Sequence, residues 1–187
     1  MQIKLILLDF DGTLANTGRA NAMAYIDALR EEGIELSMEE YRHKYFGVRC
    51  NEFMRGLGID NPDDVARIRR RKIEIYPTHF DKITLNRPLW DFVQAFRRNG
   101  GKAWVVSTGH PDNLRNAMTH LGIADGFDGM LSADDVVHSK PAPDCFLKAM
   151  RMCGATPAET LIFEDSAVGL QAAAASGAAY FKVELPF

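Results

Sequence analysis

The chain has 187 residues, 47% of them hydrophobic and 25% charged, a composition that is ordinary for a globular protein and excludes extensive disorder. Its 22 basic and 25 acidic residues leave a formal charge of -3, so no positive field would draw nucleic acid or an anionic membrane to it. Since no apolar run reaches the roughly 20 residues of a bilayer span, we expect neither nucleic acid nor a membrane as a partner.

Short apolar runs, each typical of a buried strand, recur along the chain. They lie at Lys4–Leu8, Ala103–Val106, Gly129–Leu131, Leu161–Phe163 and Tyr180–Val183. Helices are predicted between or after the later runs, at Asp112–His120, Asp144–Cys153 and Ser166–Ala175. This alternation of strands and helices predicts an α/β fold with a parallel sheet.

The stretch between the first two strands contains no convincing strand and predicts a helical insertion. Ser37, with an acid three residues later, has capping-box spacing. Asn61 precedes a proline suited to the first turn of a helix. We therefore expect a sheet domain of residues 1–14 and 88–187 and an inserted helical domain of residues 15–87.

Two aspartates follow the first strand directly. Asp9 and Asp11 come after the apolar run that ends at Leu8, and Gly12 lets the chain leave the sheet sharply. Open parallel sheets bind their ligands at the carboxyl ends of their strands. The two aspartates therefore indicate a candidate metal or ligand site.

Further polar residues follow or adjoin the later strands. Ser107 closes one strand, Lys140 precedes a Pro-Ala-Pro segment, and Glu164 with Asp165 closes another strand. Because these strand ends meet at one edge of a parallel sheet, we expect the side chains to converge. Several carboxylates, one cation and a hydroxyl suit a hard divalent cation with a phosphate, and Mg²⁺ is the natural candidate.

The ordered motifs DFDGTL, SKPAPD and FEDSAVGLQAA resemble those of the haloacid dehalogenase superfamily. The resemblance extends over nearly the whole chain and is closest to the beta-phosphoglucomutase-like and fructose-1-phosphatase-like sugar phosphatase branch. It implies a Rossmann-like parallel sheet core with helices on both faces and an inserted α-helical cap subdomain.

The resemblance also implies catalytic roles. Asp9 would be the nucleophile that forms an aspartyl phosphate, and Asp11 would act as general acid and then as general base. Ser107 would hold a transferring oxygen, with Thr108 as a near alternative. Lys140 would offset the negative charge that develops during transfer.

The metal site is implied in the same way. Asp9 and Asp165 would bind Mg²⁺ through their side chains, and Asp11 through its carbonyl oxygen. Glu164 would bind the ion directly or lie just beyond its ligands.

The insertion offers candidates for substrate selection. Arg49 resembles a cap residue that reads substrate in this branch, and Lys72 resembles a cap lysine that faces the site in the mutases. Two departures stand beside these matches: Asn16 occupies a position that is commonly acidic, and Asn21 approximately that of a histidine of the mutases. An amide cannot supply that histidine's proton transfer.

These features favour a magnesium-dependent phosphatase acting on a small organic phosphomonoester, with a sugar phosphate as the favoured substrate. The first alternative is a sugar phosphomutase of the beta-phosphoglucomutase type, against which Asn21 argues. A phosphorylated receiver-like signalling module, a dehalogenase and a catalytically dead binding protein are further alternatives. The sequence predicts no particular oligomeric state.

The cysteines and the amino terminus favour a cytoplasmic protein. Cys50, Cys145 and Cys153 are odd in number and lack metal-ligand spacing, so we expect reduced, mostly buried thiols. The amino terminus has no basic region followed by a long apolar core, as a secretory signal would have.

Overall fold

A computed structural model describes residues 2–46, 48 and 50–186 of the protein. The chain divides into two compact units. The sheet unit comprises Met1–Asn16 and Thr84–Phe187, and the helical unit comprises Thr17–Ile83.

The strands of the described residues are short and lie in the sheet unit. They are β1 (Leu5–Leu8), β2 (Ala15–Asn16), β3 (Thr84–Leu85), β4 (Lys102–Val106), β5 (Gly129–Leu131), β6 (Thr160–Glu164) and β7 (Ala179–Lys182).

The α-helices of the same residues fall into both units. They are α1 (Gly18–Glu31), α2 (Met38–Glu40), α3 (Cys50–Gly56), α4 (Pro62–Ile75), α5 (Arg87–Arg98), α6 (Pro111–His120), α7 (Asp144–Cys153) and α8 (Ala167–Ser176).

Five of the described strands form one sheet in the order β5-β4-β1-β6-β7. Every neighbouring pair is parallel, and Leu5 of β1 lies opposite Lys102 of β4 on one side and Thr160 of β6 on the other. The carboxyl ends of these strands therefore lie along one edge. The parallel sheet with intervening helices confirms the predicted α/β fold class.

Strand β1 is buried on both faces. Leu5 and Leu7 belong to a core cluster that includes Phe146 of α7 and Ala172 of α8. Successive strand side chains point to opposite faces, so the other two residues of β1 lie on the far side, and all four are at most 1% exposed. Asp9, which follows this strand, is therefore attached to a backbone that the core fixes in place.

The pair β2 and β3 corrects the expectation that the insertion contains no strand. Ala15 pairs antiparallel with Leu85, and Asn16 with Thr84. A strand of two residues shows no alternation, so a sequence pattern cannot reveal it. The predicted domain division, whose inner boundaries lie beside this pair, stays a prediction.

Both helix starts expected in the insertion carry side-chain caps. The Oγ of Ser37 accepts a hydrogen bond from the backbone N–H of Glu40 at 3.1 Å. The Oδ1 of Asn61 accepts one from the N–H of Asp63 at 2.9 Å. The first cap begins only the three-residue α2, which continues into a π-helical turn at Tyr41–Tyr45.

The cysteine expectation holds only in part. All three cysteines are free thiols, but Cys145 alone is buried, whereas Cys50 and Cys153 are half-buried. The prediction that most of them are buried was wrong, because Cys50 and Cys153 lie at the first and last residues of helices rather than in the middle of the core.

Candidate active site

The first strand delivers Asp9 to the carboxyl edge of the sheet. The Asp9 N–H donates to the carbonyl of Phe163 at 3.0 Å, which ties it to the neighbouring β6. The chain then turns at Gly12, whose φ is +89°. A Cβ atom on Gly12 would lie 2.2 Å from the Oδ2 of Asp165, so this position requires glycine for its φ and for the close approach.

Lys140 lies between two carboxylates. Its Nζ donates to the Oδ1 of Asp9 at 2.7 Å, to the Oε1 of Glu164 at 2.6 Å and to the carbonyl of Val106 at 3.1 Å. The Lys140 side chain is only 2% exposed. It also lies 5.1 Å from the ring centroid of Phe146. Three acceptors thus hold one buried ammonium, and two of them are charged.

Glu164 ends β6 and is fully buried. Its Oε2 accepts hydrogen bonds from the backbone N–H of Ser166 at 2.9 Å and from the Ser166 hydroxyl at 3.0 Å. A Cβ atom on Gly169 would lie 1.8 Å from the Oε1. The Glu164 carboxylate is therefore held on both oxygens, with Lys140 on one and Ser166 on the other.

Asp165 completes a group that we call the carboxylate cluster: Asp9, Glu164 and Asp165. Each offers one oxygen, and these oxygens lie within 4.8 Å of one another. The hydroxyl of Thr13 donates to the Oδ1 of Asp165 at 3.1 Å. Oxygen donors at this spacing suit a hard divalent cation such as Mg²⁺, so the cluster could hold a metal ion.

The electrostatics of the carboxylate cluster also favour the binding of a divalent cation. Burial raises the pKa of Asp9 well above its ordinary value; Lys140 opposes the rise, and the other two carboxylates add to it. Burial also raises the pKa of Asp165 to about 6, and Glu164 adds to the rise. Burial lowers the pKa of Lys140, but Asp9 and Glu164 outweigh it and hold that pKa above its usual range. One ammonium thus faces three carboxyl groups, and a divalent cation would relieve the remaining repulsion.

Ser107 and Asp11 both lie close to Gly109. The N–H of Ser107, after β4, donates to the carbonyl of Leu131 at 3.0 Å, and its Oγ accepts from the N–H of Gly109 at 3.0 Å. A Cβ atom on Gly109 would lie 3.2 Å from that Oγ and 3.5 Å from the Oδ2 of Asp11. Ser107 is buried, whereas Thr108 is exposed.

The two cap candidates belong to the helical unit. Lys72 donates to the Oδ1 of Asn21 at 2.5 Å, and its Nζ lies 4.5 Å and 5.1 Å from the ring centroids of Tyr76 and Tyr25. Arg49 lies outside the described residues. Their roles as substrate contacts stay predictions.

The structure thus brings Asp9, Lys140, Glu164 and Asp165 into one cluster. Sequence reasoning missed the hydroxyl partners Thr13 and Ser166, although both stand inside the quoted motifs. Ser166 was recognised only as a helix start, which it is: its Oγ accepts from the N–H of Gly169 at 3.0 Å.

With this geometry established, comparison with known proteins decides the family. Residues 6–183 match the haloacid dehalogenase-like hydrolase family. The chain belongs to that family. The predicted superfamily is thereby confirmed, and a relative described below supports the predicted sugar phosphatase branch.

Relatives of this hydrolase include named phosphatases. It is 28% identical over 174 residues to the fructose-1-phosphate phosphatase YqaB of Escherichia coli (strain K12), with 92% of each chain covered. It is 26% identical over 175 residues to the pyrophosphatase PpaX of Bacillus cereus (strain AH820), covering 89% of this chain and 76% of that one.

Among solved structures, the chain is similar to CbbY from Rhodobacter sphaeroides in complex with phosphate. The TM-score is 0.82 at 28% identity, with 96% of this chain and 85% of that one covered. The family and these relatives confirm the expected enzyme class, a phosphoric monoester hydrolase of the haloacid dehalogenase type. In the part of the chain that the structure describes, no helix has the length and apolar character that crossing a membrane requires.

Proposed function

We propose that this hydrolase is a Mg²⁺-dependent phosphatase that acts on a small organic phosphomonoester, with a phosphorylated sugar as the favoured substrate. The observation that carries the proposal is the buried contact of Lys140 with Asp9 and Glu164, at 2.7 Å and 2.6 Å, beside Asp165. This arrangement places one ammonium against the carboxylate that follows the first strand and leaves an excess of negative charge that a divalent cation would offset. The fructose-1-phosphate phosphatase relative supports the choice of a sugar phosphate.

In the first step, an oxygen of Asp9 attacks phosphorus and the bond from phosphorus to the substrate alkoxide breaks. Asp11 gives its proton to the departing alkoxide, and an aspartyl phosphate remains on Asp9. In the second step, Asp11 takes a proton from water while that water attacks phosphorus. The bond to Asp9 breaks, and inorganic phosphate leaves.

The remaining residues position the transferring phosphoryl group or neutralise its negative charge. Lys140 stays protonated and offsets charge next to Asp9. Ser107, whose Oγ lies near Asp11 across Gly109, would donate to a transferring oxygen. Asp9, Asp165 and the carbonyl of Asp11 would hold Mg²⁺, which when bound supplies further neutralisation of phosphate charge.

Glu164 is better suited to anchoring Lys140 than to binding the metal. Both of its oxygens already accept hydrogen bonds, one from Lys140 and the other from Ser166. A direct bond to Mg²⁺ would have to displace or share one of these donors. We therefore place Glu164 just beyond the metal ligands.

Hydrolysis is favoured over mutation by the surroundings of Asn21. Its side-chain oxygen accepts from Lys72, and its side-chain nitrogen donates to the hydroxyl of Thr17 at 3.2 Å. Both ends of this amide are engaged, and an amide does not transfer protons near neutral pH. We propose that the helical unit, with Lys72 and Arg49 as candidates, selects the substrate.

The test is a screen of phosphomonoesters with and without Mg²⁺, using the native enzyme and two variants. The native enzyme should release phosphate only with Mg²⁺, and Asp9→Asn should lower turnover by at least about a thousandfold. Asp112→Asn is the matched control, because Asp112 is an exposed aspartate of α6, and it should keep native turnover. Metal-independent release, or an active Asp9→Asn variant, would contradict the mechanism, and isomer exchange without phosphate release would support the mutase instead.

A further inference from the structure

One face of helix α4 carries a stripe of residues that does not face the core. Helix α4 packs against α1 and buries Ile68 and Ile75. The stripe consists of residues three or four apart, which lie above one another on a helix. Its members are Pro62, Val65, Ala66, Arg69, Arg70 and Ile73.

This stripe forms one wall of a groove within the helical unit. Asn51 and Arg55 of α3, with Ile59 and Asp60 from the connection that follows, form the rest of its lining. The cavity measures about 580 Å³, which lies within the roughly 300–1,000 Å³ of small-ligand pockets. Its lining includes the apolar residues Ile59, Val65 and Ile73, and Ile59 is only 9% exposed.

The rim of this groove is positively charged in a protein of net negative charge. Arg55, Arg69 and Arg70 line it, against the single acid Asp60. All three arginines are exposed. None of them forms an ion pair with a described carboxylate, and Arg55 donates instead to the carbonyl of Asn51 at 3.3 Å.

The other arginines of α4 behave differently. Arg67 pairs with Glu32 and Asp64, both at 2.7 Å. Arg71 pairs with Glu31 at 2.7 Å and Glu74 at 3.0 Å. The unneutralised arginines of this helix are therefore those of the groove.

We propose that this groove binds a small organic anion that combines a phosphate-like or carboxylate head with an apolar part. A guanidinium group presents paired donors that match the oxygens of such a head. The apolar residues Ile59, Val65 and Ile73 of the same groove would contact the remainder of the ligand. The groove residues belong to the helical unit, and none of them is among the residues to which the proposed hydrolysis is assigned.

The test uses two fluorescent probes that share the same rings. Anilinonaphthalene sulfonate carries an anionic head, and phenylnaphthylamine lacks it. Both are titrated against the full-length protein in the presence of Mg²⁺ and inorganic phosphate, which keep the proposed hydrolytic site engaged. The native protein should bind the sulfonate saturably and more tightly than the uncharged probe.

Two neighbouring arginines give a matched comparison. Arg70→Gln should weaken binding of the sulfonate by about tenfold or more, the effect of losing one hydrogen bond to a charged group, and should leave the uncharged probe unaffected. Arg71→Gln removes a charge that is also exposed but already paired, and it should leave both affinities unchanged. An equal loss in the two variants, or no saturable binding of the sulfonate, would overturn the proposal.

A third variant tests the cavity without changing the charge. Ala66→Trp places a large ring in the groove and should weaken both probes together, while circular dichroism checks that the helices remain. If both probes bind Ala66→Trp as tightly as the native protein, they bind elsewhere and the proposed groove is wrong.

Discussion

At the residue scale, Lys140 supplies the positive charge that offsets the carboxylate cluster. A single lysine preceding a proline would ordinarily be a solvated surface residue, yet this one is almost fully buried against Asp9 and Glu164. Removing one partner of a buried ion pair leaves the other charge without compensation. Here the loss of one ammonium would leave two carboxylates in that position.

We therefore expect Lys140→Met to lower the free energy of unfolding by about 3–5 kcal/mol and to abolish measurable turnover. Adding Glu164→Gln should recover part of the stability, because one of the two uncompensated buried charges disappears, but none of the activity. Urea unfolding of both variants measures the effect.

Lys148→Met serves as the control for that substitution. Within the described part of the chain, Lys148 donates to the carbonyl of Asp135 alone, at 2.5 Å, so its loss should change the stability by less than about 1 kcal/mol. Equal stability losses in Lys140→Met and Lys148→Met would show that the buried pair is not important for the fold.

At the element scale, the start of α8 couples helix capping to the carboxylate cluster. Ser166 accepts from the N–H of Gly169 as an N-cap, and its own hydroxyl and N–H donate to Glu164. Gly169 is required because a Cβ there would meet the Glu164 carboxylate. The first turn of this helix thus holds the anchor of Lys140.

Ser166→Ala should cost about 1 kcal/mol for the lost cap and about 1 kcal/mol more for the lost donor to Glu164. It should also lower turnover several-fold, because Glu164 positions Lys140. Ser166→Thr, which keeps the hydroxyl, should retain most of the native stability and most of the native turnover. Chemical unfolding and phosphate release are the measurements.

Ser37→Ala is the matched control, since Ser37 caps α2 through the N–H of Glu40 in the same way. It should lose the capping contribution and keep native turnover. If the two serine variants lose equal stability and neither changes turnover, the coupling of α8 to the site is contradicted.

The five strands of the parallel sheet and the helices that begin after recognisable caps were predictable from sequence because their signals are local. Lys140 and Asp9 are 131 positions apart in the chain. Their contact could be predicted because both residues adjoin strand ends of one parallel sheet. The contacts of Thr13 with Asp165 and of Ser166 with Glu164 depend on side-chain directions after tight turns, which periodicity does not encode. The two-residue strands β2 and β3 were too short to show any pattern.

At the scale of the whole molecule, the raised pKa of Asp165 links stability to pH and to metal. In the metal-free protein this pKa is about 6 rather than the ordinary 3.8. The folded state therefore holds that proton more tightly than the unfolded state does. The resulting stabilisation is complete below pH of about 4 and is lost as the pH rises through about 6.

Mg²⁺ should reverse this trend, because it binds the deprotonated carboxylate. One competing proton weakens Mg²⁺ affinity by about tenfold for each pH unit below 6, so the rise in melting temperature caused by Mg²⁺ should be small at pH 5 and large at pH 7. Asp165→Asn should melt higher than the native protein at pH 7 without metal and should respond little to Mg²⁺, whereas Asp112→Asn should behave as the native protein does. Thermal melts across this pH range measure the effect, and a Mg²⁺ response that is independent of pH, or that persists in Asp165→Asn, would show that Asp165 does not bind the ion.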